Sequence, residues 1–251
     1  MKIYASAMRI AIFSDVHSNL PALEAVLADI DGTGVNERYA VGDLVGYAPW
    51  PNEVLERLRS EGFPIVMGNY DDGTAYDRDE CGCAYTDPTE KALGDESFAW
   101  TKARTTEENK AWLRTLAPEV RFEADGNRYL LVHGSPRRMN EYLYEDKPVE
   151  TFARIAAGAD ADVIVCGHTH KPYDKRVGET RFVNVGSAGK PKDGDPRACW
   201  ALLDTAAESV EFRRVVYDIE RAARAIEAST LPSEFAAQLR EARGYRSPVR
   251  A

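Results

Sequence analysis

The sequence predicts an α/β protein in which two mixed β-sheets pack together with helices outside. Three observations predict it. Between residues 9 and 67, short apolar runs alternate with segments of helical spacing, the order of parallel strands joined by right-handed crossovers. Between residues 120 and 216, pairs of strand-like runs are joined by short turns, which favours antiparallel hairpins. The chain has 251 residues, 44% hydrophobic and 29% charged, a composition that excludes disordered and collagen-like sequence and supplies a large core.

The elements follow in order. Arg9-Ile-Ala-Ile-Phe13 is a short apolar strand. A helix over 21–31 places Leu23, Val26, Leu27 and Ile30 on one face, with Pro21 near its start, where a missing N–H costs nothing. A strand over 38–41, a helix over 52–61 carrying Val54, Leu55 and Leu58, and a strand over 63–67 complete βαβαβ. Residues 73–117 are the least regular and form either a surface insertion or a cap over an active site. Within them, Thr105 and Glu108 fit a capping box for a helix over 106–116 whose apolar face is Trp112, Leu113 and Leu116. Hairpins are expected over 120–132, with the turn at Asp125-Gly126-Asn127, over 173–185, and over 199–216. Two helices, split at Leu231-Pro232, fill 217–243 and pack against the body. No linker, repeat or low-complexity tract divides the chain, so one domain over 1–251 is expected.

The net charge is −9, which argues against the broad basic face that duplex nucleic acid requires. No apolar run approaches the ~20 residues of a membrane span, and Arg9 and Asp15 interrupt the N-terminal apolar stretch too early for a signal peptide. A cytoplasmic protein with no membrane partner is expected. Cys81, Cys83, Cys166 and Cys199 are too few for a disulfide framework and read as reduced thiols.

All four histidines lie just past apolar strand-like runs. Asp15 and His17 follow the first strand, Asp43 the second, Asn69 the third, His133 a later one, and His168 and His170 another. Ligands bind beyond the carboxyl ends of strands in open α/β sheets. Asp and Asn at strand ends also serve as simple turn formers, but that does not account for every histidine in the chain. Imidazole, carboxylate and amide oxygen without thiolate suit manganese, iron, cobalt, nickel or zinc. Seven ligands exceed one tetrahedral site and fit two ions about 3.5–4 Å apart, bridged by a carboxylate.

Asp15-x-His17, Gly42-Asp43, Gly68-Asn69-Tyr70-Asp71, His133-Gly134 and Gly167-His168-x-His170 resemble, in order, the motifs of the calcineurin-like metallophosphoesterase superfamily. The segment from Asn184 to Arg197 is similar to its small bacterial and archaeal phosphodiesterase-like branch. The resemblance implies a four-layer α/β/β/α sandwich. It implies one ion on Asp15, His17 and His170, a second on Asn69, His133 and His168, and Asp43 between them, with manganese first and iron, nickel, cobalt or zinc open. It implies hydrolysis of a small phosphodiester or nucleotide-type substrate by a metal-bridging hydroxide. A phosphomonoesterase and a non-catalytic scaffold of the same fold are the alternatives. Tyr70 stands where the family often carries a histidine near the leaving group, which makes it the candidate catalytic residue, although a phenol is a reluctant proton donor. The Asp-Arg-Gly of the protein phosphatases and dinucleoside tetraphosphatases is absent after Asp43. Arg137 and Arg138 are either substrate contacts or structural ion pairs, and Tyr47 and Trp50 either stack on an aromatic group or pack.

Overall fold

The computed structural model describes residues 2–4 and 7–245, with side chains from residue 7 onward. The chain runs β1 (Lys2–Tyr4), β2 (Arg9–Phe13), α1 (Leu20–Asp31), β3 (Glu37–Val41), α2 (Pro51–Glu61), β4 (Ile65–Val66), α3 (Asn69–Ala75), α4 (Pro88–Arg104) and α5 (Glu107–Leu113). It continues through β5 (Val120–Ala124), β6 (Asn127–Leu131), α6 (Val149–Ala159), β7 (Val163–Cys166), β8 (Tyr173–Val177), β9 (Thr180–Asn184), β10 (Ala198–Asp204), β11 (Ser209–Val215), α7 (Ile219–Ala228) and α8 (Glu234–Glu241).

Two mixed sheets result, one of five strands in the order β11-β10-β2-β3-β4 and one of six in the order β1-β5-β6-β7-β9-β8. β2, β3 and β4 are parallel, and β10 joins antiparallel to β2. In the second sheet, β6, β7 and β9 are parallel, flanked by the hairpin partners β5 and β8.

The two-residue period of a strand explains the layering. Ile10 and Ile12 face the space between the sheets, where Tyr39, Phe122, Leu131 and Val165 meet them. Ala11 and Phe13 face the opposite way, onto Leu23 and Val26 of α1 and Leu55 and Leu58 of α2. On the second sheet, Leu130 and Ile164 turn outward to Phe152 and Ile155 of α6. Three apolar interiors therefore separate four layers, α/β/β/α. Tyr39, Phe122 and Tyr129 stack in series between the sheets, at centroid distances of 5.2 and 4.8 Å.

Several expectations shift by a residue or two. β4 is only two residues long, because Pro64 has no N–H to extend the ladder. The cap of α5 is Thr106, not Thr105: its hydroxyl accepts from the Asn109 N–H at 3.3 Å. The stretch 73–117 contains a 17-residue helix, α4, that periodicity hides, because its buried face is Gly94, Ser97, Phe98 and Thr101. Asp87 caps it, accepting from Thr89 and Glu90, and Pro88 opens its first turn. Cys81 and Cys83 form a disulfide across Gly82, against the expectation of four thiols, while Cys166 and Cys199 are free and buried. The two residues are close enough to pair because Gly82 takes a left-handed φ of 71°. Among the described residues, no helix is long and apolar enough to cross a membrane.

Candidate metal centre

The ends of β2, β3 and β4 in one sheet face the ends of β6 and β7 in the other. The loops that follow deliver Asp15, His17, Asp43, Asn69, His133, His168 and His170 to one buried place, each 5% exposed or less. Glycines allow the loops to meet. A Cβ on Gly68 would lie 2.1 Å from the Asp43 nitrogen, and one on Gly167 would lie 2.1 Å from Ser14 Oγ.

Five of the seven residues hold left-handed backbone, with φ of 53° at Asp15, 49° at His17, 52° at Asp43, 64° at His168 and 59° at His170. Such conformations cost of order 1–3 kcal/mol each in a non-glycine residue and persist only where surrounding structure enforces them. The enforcement is visible in backbone bonds between loops: Asp15 N–H donates to the Gly42 carbonyl at 2.9 Å, His17 N–H to Asp43 at 3.0 Å, and Gly189 N–H to Asp15 at 2.9 Å. Asp71, buried beneath them, accepts from the N–H groups of Leu44 and Gly68 and so ties the Asp43 loop to the start of α3.

The side chains fall into two groups. Asp15, His17 and His170 form one, and Asp43, His133 and His168 the other, with the ligating atoms of each group within 4.8 Å of one another. Asp43 Oδ2 lies 3.3 Å from His133 Nε2 and 3.8 Å from His17 Nε2, so one carboxylate faces both groups. Asn69 joins the second: its Nδ2 donates to the Cys81 carbonyl at 2.9 Å, which turns Oδ1 to face His133 Nε2 at 3.1 Å.

The histidine contacts decide what this arrangement accepts. Three rings have their Nδ1 against a backbone carbonyl: His17 on Val45 at 3.0 Å, His133 on Val41 at 2.7 Å, and His170 on Lys190 at 2.5 Å. A carbonyl only accepts, so the proton is assigned to each Nδ1, and in His17 and His170, which burial keeps neutral, the Nε2 atoms keep their lone pairs. Yet His17 Nε2 faces His170 Nε2 at 3.2 Å, and His133 Nε2 faces His168 Nδ1 at 3.1 Å. In the first of these contacts two lone pairs oppose each other, and at that distance they repel unless a cation lies between them. Asp15 Oδ1 is buried without a hydrogen-bond partner among the described residues, 3.3 Å from His170 Nε2. The donor set therefore fits two divalent cations.

Burial lowers His17 to about 3, Asp43 only partly opposing it, and lowers His168 to about 3 as well, with His133 adding to the effect. Both rings are thus neutral ligands at pH 7. Burial also pushes Asp15 above the usual carboxylate range. Asp43 and His133 hold each other charged: Asp43 raises His133 to about 9 against the effect of burial, and His133 in turn keeps the Asp43 carboxylate below its usual range.

The remaining candidates separate. Tyr70 turns its side chain into the core. Its ring is buried, edge-on to His17 at 5.5 Å and to Phe98 at 5.6 Å, and its hydroxyl has no hydrogen-bond partner among the described residues. It is not among the residues lining the cavity of about 700 Å³ beside the centre. The helical start at Asn69 aims the side chain of the next residue into the core, whereas its N–H donates to Asp43 Oδ1 at 2.9 Å. Arg137 is engaged by Glu141 in an i,i+4 ion pair, and Arg138 lines the cavity. Tyr47 lines it too, its ring 4.8 Å from that of His17, while Trp50 caps the start of α2. Sequence reading missed Tyr142, which lines the cavity with its ring 4.0 Å from that of His168, and it missed Lys190 and Lys192. The C-terminal helices do more than pack, since Phe235 and Gln238 of α8 also line this cavity.

A family model for the calcineurin-like phosphoesterase superfamily domain matches residues 8–208. The chain belongs to this superfamily. Within it, an uncharacterized protein of Methanocaldococcus jannaschii is 32% identical over 244 residues, covering 89% of this chain and 93% of the relative. The phosphodiesterase YfcE of Escherichia coli is 26% identical over 213 residues, covering 81% of this chain and 91% of YfcE. The crystal structure of a metallophosphoesterase from Sphaerobacter thermophilus superposes with a TM-score of 0.77 at 31% identity, covering 94% of this chain and all of that one. The shared architecture is that of a calcineurin-like phosphoesterase, and the two ligand groups lie inside the matched span.

Proposed function

We propose that the protein is a dinuclear phosphodiesterase. Asp15, His17 and His170 would hold one divalent ion, Asn69, His133 and His168 the other, and Asp43 both, with manganese the first choice. The observation that carries this reading is the opposed lone-pair contact of His17 with His170, with the donor group of Asn69, His133 and His168 on the other side of the Asp43 carboxylate. Bound there, divalent ions supply Lewis-acid polarisation of a phosphoryl oxygen and an activated water nucleophile at neutral pH.

The chain's own residues do the rest. The Val45, Val41 and Lys190 carbonyls fix the tautomer and the angle of three rings, so the donors need no reorganisation when cations enter. The Tyr70 N–H holds Asp43 Oδ1, leaving Oδ2 turned to both groups. Two divalent ions bring four positive charges against the two negative charges of Asp15 and Asp43, and the surplus draws a phosphodiester to a protein whose net charge is −9. Tyr142 walls the cavity beside His168 and orients the ester. Tyr70 packs behind the ligands. Residues 73–117 act as a cap on the single domain, a reading supported by Tyr85, Glu90 and Leu93 along the cavity. The preference for diesters is supported by the likeness to YfcE.

The test compares hydrolysis of bis-p-nitrophenyl phosphate and p-nitrophenyl phosphate by metal-stripped protein supplied with Mn²⁺. Faster turnover of the diester is expected, abolished by EDTA and by Asp43→Asn. Dominant monoester turnover would make the protein a phosphomonoesterase, and metal-independent turnover would remove the centre from the chemistry.

A further inference from the structure

The cavity beside the metal centre is cationic in an acidic protein. Arg138, Lys147, Lys171, Lys190 and Lys192 line it, against two carboxylates, Glu90 and Glu141, and Glu141 is already engaged by Arg137. No carboxylate among the described residues lies within ion-pair distance of Lys171, Lys190 or Lys192, whereas Lys91 and Lys110 each have an acidic partner.

Lys190 is the most informative of the three. It is 6% exposed, and its ammonium rests on the Gln238 Oε1 at 2.9 Å, the Tyr47 ring at 4.5 Å and the Phe235 ring at 5.7 Å. An amide oxygen and two aromatic faces accommodate a cation without neutralising it. Burying a charge without a counter-charge is costly, so the site is incomplete until an anion enters.

The backbones of the three lysines are tied to His170. The Lys190 carbonyl accepts from His170 Nδ1 at 2.5 Å, the Lys192 N–H donates to the His170 carbonyl at 3.4 Å, and Lys171 follows His170 directly. Across the cavity, Tyr142 and Tyr144 stack at 5.7 Å with planes 16° apart, and the Lys171 ammonium lies over the Tyr144 ring at 5.8 Å. The same space therefore offers an aromatic wall and three cations, next to the place where the scissile ester would sit.

We propose that Lys171, Lys190 and Lys192 bind a second phosphate of the substrate, so that the preferred substrate is a phosphodiester carrying a terminal phosphomonoester, as in a 5′-phosphorylated dinucleotide. The proposal rests on the phosphodiesterase reading for which bond is cut, but the anion pocket is tested apart from it. Three separate ammoniums match the three free oxygens of a terminal phosphate better than the single charge of a diester. The aromatic wall takes the attached base.

The probes are thymidylyl-thymidine with and without a 5′-phosphate, titrated calorimetrically into metal-free protein at low salt. The phosphorylated dinucleotide is expected to bind at least about tenfold more tightly. Lys171→Met and Lys192→Met, both outside the packed core, each reduce that preference, and the double variant removes it; a thermal melt checks that the variants fold. Equal affinity for the two dinucleotides, no binding of either, or a preference untouched in the folded variants overturns the proposal. With Mn²⁺, the ratio of kcat/KM for the two probes follows the same order. Absence of all diester cleavage would defeat the phosphodiesterase reading while leaving the binding result to decide the pocket.

Discussion

Asp43→Asn is the perturbation that tests the metal centre most directly. The substitution keeps the volume of the side chain and keeps an oxygen to accept from the Tyr70 N–H, now 2.9 Å from Oδ1. It removes the single negative charge that faces both ligand groups. A ligand present at one hundred times its Kd stabilises a fold by about 2.7 kcal/mol, so two filled sites give about 5.4 kcal/mol. Unfolding 251 residues carries an entropy of about 0.53 kcal/mol per kelvin, so Mn²⁺ at that level should raise Tm by about 10 °C. Loss of an outer partner of a ligand costs 10–100-fold in metal affinity, and loss of a charged ligand common to both ions should cost about a hundredfold or more at each. At the same Mn²⁺ concentration the variant then gains under 1 kcal/mol, a rise of about 2 °C. Differential scanning fluorimetry, with and without Mn²⁺ after chelation, reads both numbers. A variant that gains as much from Mn²⁺ as the parent, or a parent that gains nothing, would refute the bridging role.

Three further outcomes are expected. Gly68→Ala forces a Cβ to within 2.1 Å of the Asp43 nitrogen and 2.3 Å of its Oδ1, so the metal-free Tm should fall by the several degrees that overpacking of about 1–3 kcal/mol implies, and the Mn²⁺-induced rise should shrink with it. Tyr70→Phe deletes a hydroxyl that has no hydrogen-bond partner among the described residues; stability should hold or improve by about 1 kcal/mol, and diester turnover should stay within about threefold, whereas loss of a true proton donor would cost about 10²-fold or more. Burial raises the thiols of Cys166 and Cys199 to about 12, so between pH 9 and 12 the unfolded chain releases protons that the folded chain keeps. Stability must then fall as pH rises through that window, by about 1.4 kcal/mol per pH unit for each thiol, and Cys199→Ala should remove one share of that slope in denaturant titrations at pH 9 and 10.

Much of the fold is legible in the sequence because strand and helix periods are strong where one face is buried. Arg9–Phe13 alternates its side chains between two apolar interiors, and Leu23, Val26, Leu27 and Ile30 keep helical spacing above one of them. Legibility fails where burial does not use large apolar residues. α4 hides because Gly94, Ser97 and Thr101 share its buried face, and β1 hides because three residues that pair with β5 carry no period. α6 was readable, since Phe152, Ile155 and Ala159 repeat on one face, but the polar residues around it obscured the pattern. That these seven residues gather in one place was legible because rare histidines recur at strand ends. Neighbourhood in sequence says nothing of direction: Tyr70, as the second residue of α3, turns inward, while Tyr142, outside the motifs, lies beside His168. Sequence assigned no role to Lys190 and Lys192 within the Asn184–Arg197 segment, because the C-terminal helix Glu234–Glu241 that covers the first of them with Phe235 and Gln238 is distant in the chain.

The left-handed residues that carry the ligands have a consequence for how cations are chosen. Their conformation is held by amide bonds from loop to loop, none of which involves a cation. The chain itself shapes this cage through those bonds. A cage so shaped ranks metals by radius and preferred geometry more than by their intrinsic appetite for nitrogen and oxygen. Whichever ion matches that shape and is abundant where the protein works will occupy it.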